Sequence, residues 1–168
     1  MKYIKTFEKY SGNLTFEGLV ATMPEDIQEI YEKLKTVEQR KDAHPEGVVY
    51  NHVKIVTERA IKYGDFDLII TALFHDLGKL STTRFDKGYP TSYGHEAEST
   101  KILEQHKDWV EKQGANYEAV HFVVSNHMKA HRMGEMRPAK QEILKSSPYF
   151  DRLVKFSYMD SMLIPYEG

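Results

Sequence analysis

The stretch Phe66 to Phe74 (FDLIITALF) is almost evenly apolar and runs straight into His75-Asp76-Leu77-Gly78-Lys79. It is far short of the roughly 18 apolar residues a membrane span needs, and too apolar on all sides for a surface element. Periodicity alone allows a buried strand or a buried helix; the residues that follow favour the helix. A polar group left unsatisfied beside such a segment costs about 1–3 kcal/mol. His75 and Asp76 therefore need partners, and one bound cation would serve both.

The rest of the chain reads as helix. Pro24 to Gln39 places Ile27, Ile30, Tyr31, Leu34 and Val37 on one face. Val48 to Tyr63 does the same with Val49, Val53, Val56 and Ala60, and Gly64 is its expected terminator. Leu80 to Tyr93 lacks a period and reads as a loop long enough to cover a site. Helices are expected over about His95–Val110, Tyr117–Met128, Pro138–Lys145 and Pro148–Met162. Met1 to Val20 has aromatic positions without a firm period. With no repeat and no linker-like tract, the expectation is a single all-α domain over residues 1–168. Its core would span about 44–163, with 1–40 as an N-terminal helical extension.

Composition narrows the chemistry. The 168 residues contain no cysteine, which removes disulfides, thiol nucleophiles and thiolate metal sites together. Any metal must sit on imidazole and carboxylate, drawn from eight histidines and 25 acidic residues. A net charge of −2 gives no overall positive field for long nucleic acid. The N-terminal stretch lacks a secretory signal pattern, so a cytoplasmic location is expected, with no membrane partner. Oligomeric state is not legible, because core stripes and dimer stripes look alike.

Two further residues belong with the His75-Asp76 pair. A helical hairpin would bring His52 beside His75, and Asp160 lies in an otherwise core-like segment, Tyr158 to Met162. Taken singly, a histidine on an apolar helix is more often a hydrogen-bonded core residue, and Asp160 could equally be a surface acid or a partner of Lys155.

The order of these residues resembles the HD-domain superfamily of metal-dependent phosphohydrolases. His44-Pro45-Glu46-Gly47 with His52, then His75-Asp76-Leu77-Gly78-Lys79 and Gly94-His95-Glu96, look most like the HD domain attached to bacterial CCA-adding tRNA nucleotidyltransferases. The likeness covers about residues 44 to 131, and the Asp160 region by order only; the nucleotidyltransferase domain itself has no counterpart here. It implies an HD-type helical bundle in which His52, His75, Asp76 and Asp160 meet on one divalent ion (Mn, Mg, Co, Ni, Fe or Zn), with Asp151 as the competing closing ligand.

The same likeness implies roles for neighbours. Asp76, Lys79 and His95 are the candidate catalytic residues, and Lys79, Arg84, His95 and His127 the candidate substrate contacts; the positions of Lys79 and Arg84 alone read equally as a solvated helix-end lysine and an exposed loop arginine. His95 and His127 are alternatively ligands of a second metal. His131 could share a face with His127, His44 could line the pocket mouth, and His106 and His121 read as structural or surface residues. The implied activity is hydrolysis of a small phosphorylated substrate, a nucleotide or an RNA end, as phosphatase, nucleotidase or 2′,3′-cyclic phosphodiesterase. The alternatives are a deoxynucleotide triphosphohydrolase and a non-catalytic metal- or nucleotide-binding module.

Overall fold

Every residue of the Phe66 to Phe74 run is buried, which is why its sequence shows no polar face. Asp65 caps its start, its side chain accepting from the Leu68 amide, and the run is a helix. Its isoleucines are mediocre helix formers, so packing holds it: each large apolar side chain buried is worth roughly 1.5–3 kcal/mol. The computed structural model describes residues 14–162 of the chain.

In chain order the helices are α1 (Phe16–Thr22), α2 (Glu25–Leu34), α3 (Val49–Tyr63), α4 (Phe66–Phe74), α5 (Lys79–Thr82), α6 (His95–Gln105), α7 (Lys107–Lys112), α8 (Tyr117–His131), α9 (Pro138–Lys145) and α10 (Phe150–Asp160). A 3-10 turn, Met133–Glu135, links α8 to α9. No strand occurs among the described residues; there is one isolated bridge, Arg84 to Thr91. The fold is all-α. No helix among the described residues is long and apolar enough to cross a membrane.

The central helix α4 packs between α3 and α8, and α8 in turn carries α6 and α10. This arrangement sets the first turn of α3, the end of α4, the start of α6 and the last turns of α8 and α10 around one point. Gly64 ends α3 in the left-handed region (φ 91°), as expected of a terminating glycine. Arg59 on α3 donates to the carbonyls of Met159 (2.8 Å) and Ser161 (2.9 Å), fixing the end of α10.

Residues before 40 contribute to the same core. Phe16, Leu19, Met23, Ile27, Tyr31 and Leu34 are buried in it, and Phe16, Tyr31 and Tyr50 meet edge to face at 5.5–6.4 Å. Tyr31 donates its hydroxyl to the Leu73 carbonyl. The described part of the expected extension is thus a layer of the domain; residues 1–13, and the core's expected end at 163, lie outside the described residues.

Several boundaries differ from expectation. The second helix stops at Leu34 rather than Gln39. The loop expected from Leu80 begins at Thr83, because the first residues after Gly78 form α5. The helix expected over His95–Val110 breaks at His106 (φ −116°, ψ 21°), whose ring bonds the Ile102 carbonyl and the Asp26 carboxylate. Helix α8 runs on to His131, and α10 starts only at Phe150.

Gly78 links this frame to the site. Its φ of −64° suits any residue, so space is what demands glycine. A Cβ there would lie 2.2 Å from the His95 carbonyl oxygen and 2.6 Å from the Ser99 nitrogen, both backbone atoms of α6. The Gly78 amide also donates to Ser99 Oγ at 2.9 Å. Gly78→Ala must push α5 from α6, and a loss of about 1–3 kcal/mol of stability is expected, read by denaturant unfolding. A variant as stable as the wild type would show that the two helices part without cost.

Candidate metal centre

His52 sits in the first turn of α3, His75 and Asp76 directly follow α4, and Asp160 closes α10; all four are buried. Their ligating atoms lie within 4.8 Å of one another. His52 Nε2 is 2.8 Å from Asp160 Oδ1, 3.2 Å from Asp76 Oδ2 and 3.3 Å from His75 Nε2. His75 Nε2 is 3.1 Å from Asp160 Oδ1 and 3.3 Å from Asp76 Oδ2. Metal bonds of about 2.1 Å put neighbouring ligand atoms about 3.0 Å apart in an octahedron and about 3.4 Å in a tetrahedron. The observed separations suit a cation in either geometry.

The imidazoles are aimed by their other nitrogens. His52 Nδ1 donates to Glu46 Oε1 (2.7 Å) and His75 Nδ1 to the Ala72 carbonyl (2.7 Å). His95 Nδ1 donates to the Ser92 carbonyl (2.9 Å) and His127 Nδ1 to that of Val124 (2.6 Å). With each Nδ1 committed as a donor, each Nε2 turns a lone pair inward. This is the partner arrangement that fixes tautomer and ring orientation in metal-binding histidines. Two Nε2 lone pairs face each other at 3.3 Å (His52, His75) and at 3.1 Å (His95, His127), contacts that need a cation or a proton between them.

Asp76 belongs to both pairs. Its Oδ2 faces His52, His75 and Lys79 Nζ (3.1 Å), while Oδ1 faces His95 (3.1 Å) and His127 (3.5 Å). Asp76, His95 and His127 thus form a second candidate cation cluster sharing one carboxylate with the first.

Charge in the cluster is strongly shifted. Burial alone would lower the pKa of His75, but the carboxylates of Asp76 and Asp160 outweigh it and lift it to about 10. His52 is raised as well, Asp160 and Glu46 overcoming its burial. Burial would raise Asp76 and Asp160, yet His75 holds both well below the usual carboxylate range, helped by Lys79 for Asp76 and by His131 and His52 for Asp160. Burial pushes His127 down. Protons on the imidazoles and a divalent ion are alternative ways to balance these two carboxylates, so uptake of a metal here would release protons and weaken as pH falls.

The surrounding residues sort by position. Lys79 is buried, donating to Gln39 Oε1 at 2.8 Å, and lines the cavity over the cluster. That cavity, about 220 Å³, is also walled by His44, Met128, His131 and Met162. His131 Nε2 contacts Asp160 Oδ2 at 2.7 Å. Asp151 is exposed in the first turn of α10, away from the cluster. Arg84 is not brought to the site: it lies on the 83–94 hairpin, its guanidinium donates to the Thr83 carbonyl, and it lines a separate surface cavity. The pairing of Arg84 with Thr91 across the hairpin directs it there. His106 and His121 bond surface carboxylates of Asp26 and Glu104.

Glu46 escaped the sequence reading as a site residue. Its buried Oε1 accepts from His44 (2.9 Å) and His52, and these bonds outweigh burial to hold its pKa at about 2. The signal was the His44-Pro45-Glu46-Gly47 turn itself, whose acid faces inward only once the turn is folded.

Comparison with known proteins gives the same picture. The HD domain family matches residues 42–153. The Multifunctional CCA protein of Nitrosomonas europaea is 30% identical over 122 residues, covering 71% of this chain and 29% of the relative. The chain therefore spans under a third of that relative's length. With the match running over most of its residues and a His/Asp cluster at the meeting point of its helices, the chain belongs to the HD domain family.

Proposed function

We propose that this chain is a metal-dependent phosphohydrolase acting on a nucleotide or an RNA end, as phosphatase, nucleotidase or 2′,3′-cyclic phosphodiesterase, with the cytoplasm as its compartment. The observation that carries the reading is the convergence of four inward-turned Nε2 atoms and two buried carboxylates beneath a cavity. His52, His75, Asp76 and Asp160 would hold a divalent ion, and His95 and His127 would hold a second through the shared Asp76. Such an ion supplies Lewis-acid polarisation of a phosphoryl oxygen and activates water.

The chain's own groups do the rest. Lys79, buried beside Asp76 and facing the cavity, offers its ammonium to a phosphate oxygen. His95 lines the same cavity and, as a holder of the second ion, would help orient the bound group. Asp76 fixes the positions of Lys79 and His95 through its two oxygens.

The test pairs elemental analysis of protein purified without added metal with a screen of 5′-, 3′- and 2′,3′-cyclic nucleotides for phosphate release. Release that stops on chelation and returns with Mn²⁺ is the expected result. Metal-loaded protein that turns over none of these esters would leave only a binding module.

A further inference from the structure

The cavity over the His/Asp cluster opens into a larger one of about 380 Å³, and Ala43, His44, Lys79, His95 and Met128 line both. The outer wall is the 83–94 hairpin, the inner wall the 39–44 turn. We propose that this outer cavity is a nucleobase subsite in which Tyr89 and Tyr93 stack the base of a nucleoside phosphate whose phosphate lies at the His/Asp cluster. The inference rests on the phosphohydrolase reading and names what the substrate carries besides phosphate.

Three observations carry it. First, the aromatic surface is in the open: Tyr89 (39% exposed) and Tyr93 (68%), both lining the cavity, are two of the five large apolar side chains most exposed among the described residues. An apolar cluster at the rim of a cavity marks a ligand surface more often than chance exposure does.

Second, cations accompany the rings. The Arg40 guanidinium, in the wall of this cavity, lies over Tyr89 at 4.7 Å, while Lys87 lies over Tyr93 at 5.0 Å from the neighbouring surface cavity that Tyr93 also lines. Arg132 lines the cavity with no carboxylate partner among the described residues. Aromatic faces interleaved with positive charge are what single nucleotides stack on, since every base has a π-face and a phosphate nearby.

Third, the platform is held. The amides and carbonyls of Arg84 and Thr91 bond reciprocally at 2.8 and 2.9 Å, and Thr83 Oγ1 meets Ser92 Oγ at 2.8 Å. The left-handed glycines Gly88 and Gly94 turn the hairpin and its exit into α6. A cavity of this size lies in the range of small-ligand sites, with the phosphate placed in the deeper one.

The experiment measures binding, so that it is independent of turnover. Two hydrolysis-resistant phosphonates, in which CH₂ replaces the ester oxygen at C5′, are titrated calorimetrically into the full chain with Mn²⁺. One carries adenosine, the other ribose alone. The wild type is expected to bind the adenosine form at least tenfold more tightly. In Tyr89→Ala/Tyr93→Ala that preference should fall to twofold or less, and in Tyr89→Phe/Tyr93→Phe it should survive. Circular dichroism confirms that each variant is folded. A trinucleotide with a 3′-terminal phosphonate separates the two sources of this chemistry: tighter binding than the mononucleotide means an RNA end, weaker binding a free nucleotide, and each supports the subsite. Equal affinity of the two probes for the wild type, or a preference that persists in the alanine variant, overturns the subsite and leaves the phosphohydrolase reading standing. If neither phosphonate binds, both readings fall.

Discussion

Asp76→Asn is expected to lower metal-dependent phosphate release on the order of 10³-fold or more, since a metal's transition-state stabilisation is worth several kcal/mol and each 1.4 kcal/mol is about tenfold. The substitution keeps the shape and removes the charge. Asp76 is the anion common to both clusters, facing His52, His75 and Lys79 with one oxygen and His95 and His127 with the other. An amide cannot balance a divalent ion, and its nitrogen would turn a donor toward one of the two clusters. Bound metal per chain, read by elemental analysis, should fall together with activity. The variant should still fold, at reduced stability, because the buried ammonium of Lys79 loses the carboxylate charge that balances it. An Asp76→Asn protein that keeps a tenth of wild-type turnover would remove Asp76 from the centre of the chemistry.

Glu46→Ala is expected to weaken Mn²⁺ affinity by about 10–100-fold although Glu46 is not among the four proposed ligands. Its carboxylate holds the Nδ1 proton of His52 and so leaves Nε2 free to face the cluster. Glu46→Gln retains an acceptor oxygen without the charge and should fall between alanine and wild type. Calorimetric titration with Mn²⁺ reads the series, and wild-type affinity in both variants would make Glu46 a packing residue only. The pH dependence has a definite sign. With its folded pKa down at about 2 from 4.5, Glu46 stabilises the folded chain above about pH 4.5, and that contribution is lost as pH falls toward 2. The glutamine variant should lack this acid-side loss.

What could be read in advance, and what could not, follows from how far each feature depends on distant contacts. The run from Phe66 to Phe74 was legible because burial on every side leaves a direct trace in composition. His75 and Asp76 stood out for the same reason, polar groups attached to a segment that water does not reach. Asp160 was legible by its order in the chain and by a core-like helix around it; its distance from Asp151 settles which of the two meets His52, and only the folded α10 fixes that. Arg84 read from sequence either as a phosphate contact or as an exposed loop arginine, and only the hairpin pairing sets the direction it takes. The contact of His131 with Asp160 was half visible, one turn beyond His127 on the same helix, yet it required α8 to run three residues past its expected end. Gln39 acts through a tertiary contact alone, and the turn that carries Glu46 was visible in sequence while the inward direction of its carboxylate, toward His44 and His52, was not.

Asp160 also lies beyond residue 153, where the family match stops, and Gln39 lies before residue 42, where it starts. A protein trimmed to that matched stretch would keep three of the four proposed ligands and lose the carboxylate that closes the ring. It would also lose the two carbonyls that Arg59 grips and the amide that steadies Lys79. Borders drawn from similarity and borders drawn from chemistry therefore part company here, and a shortened chain that is inert says nothing about the intact one.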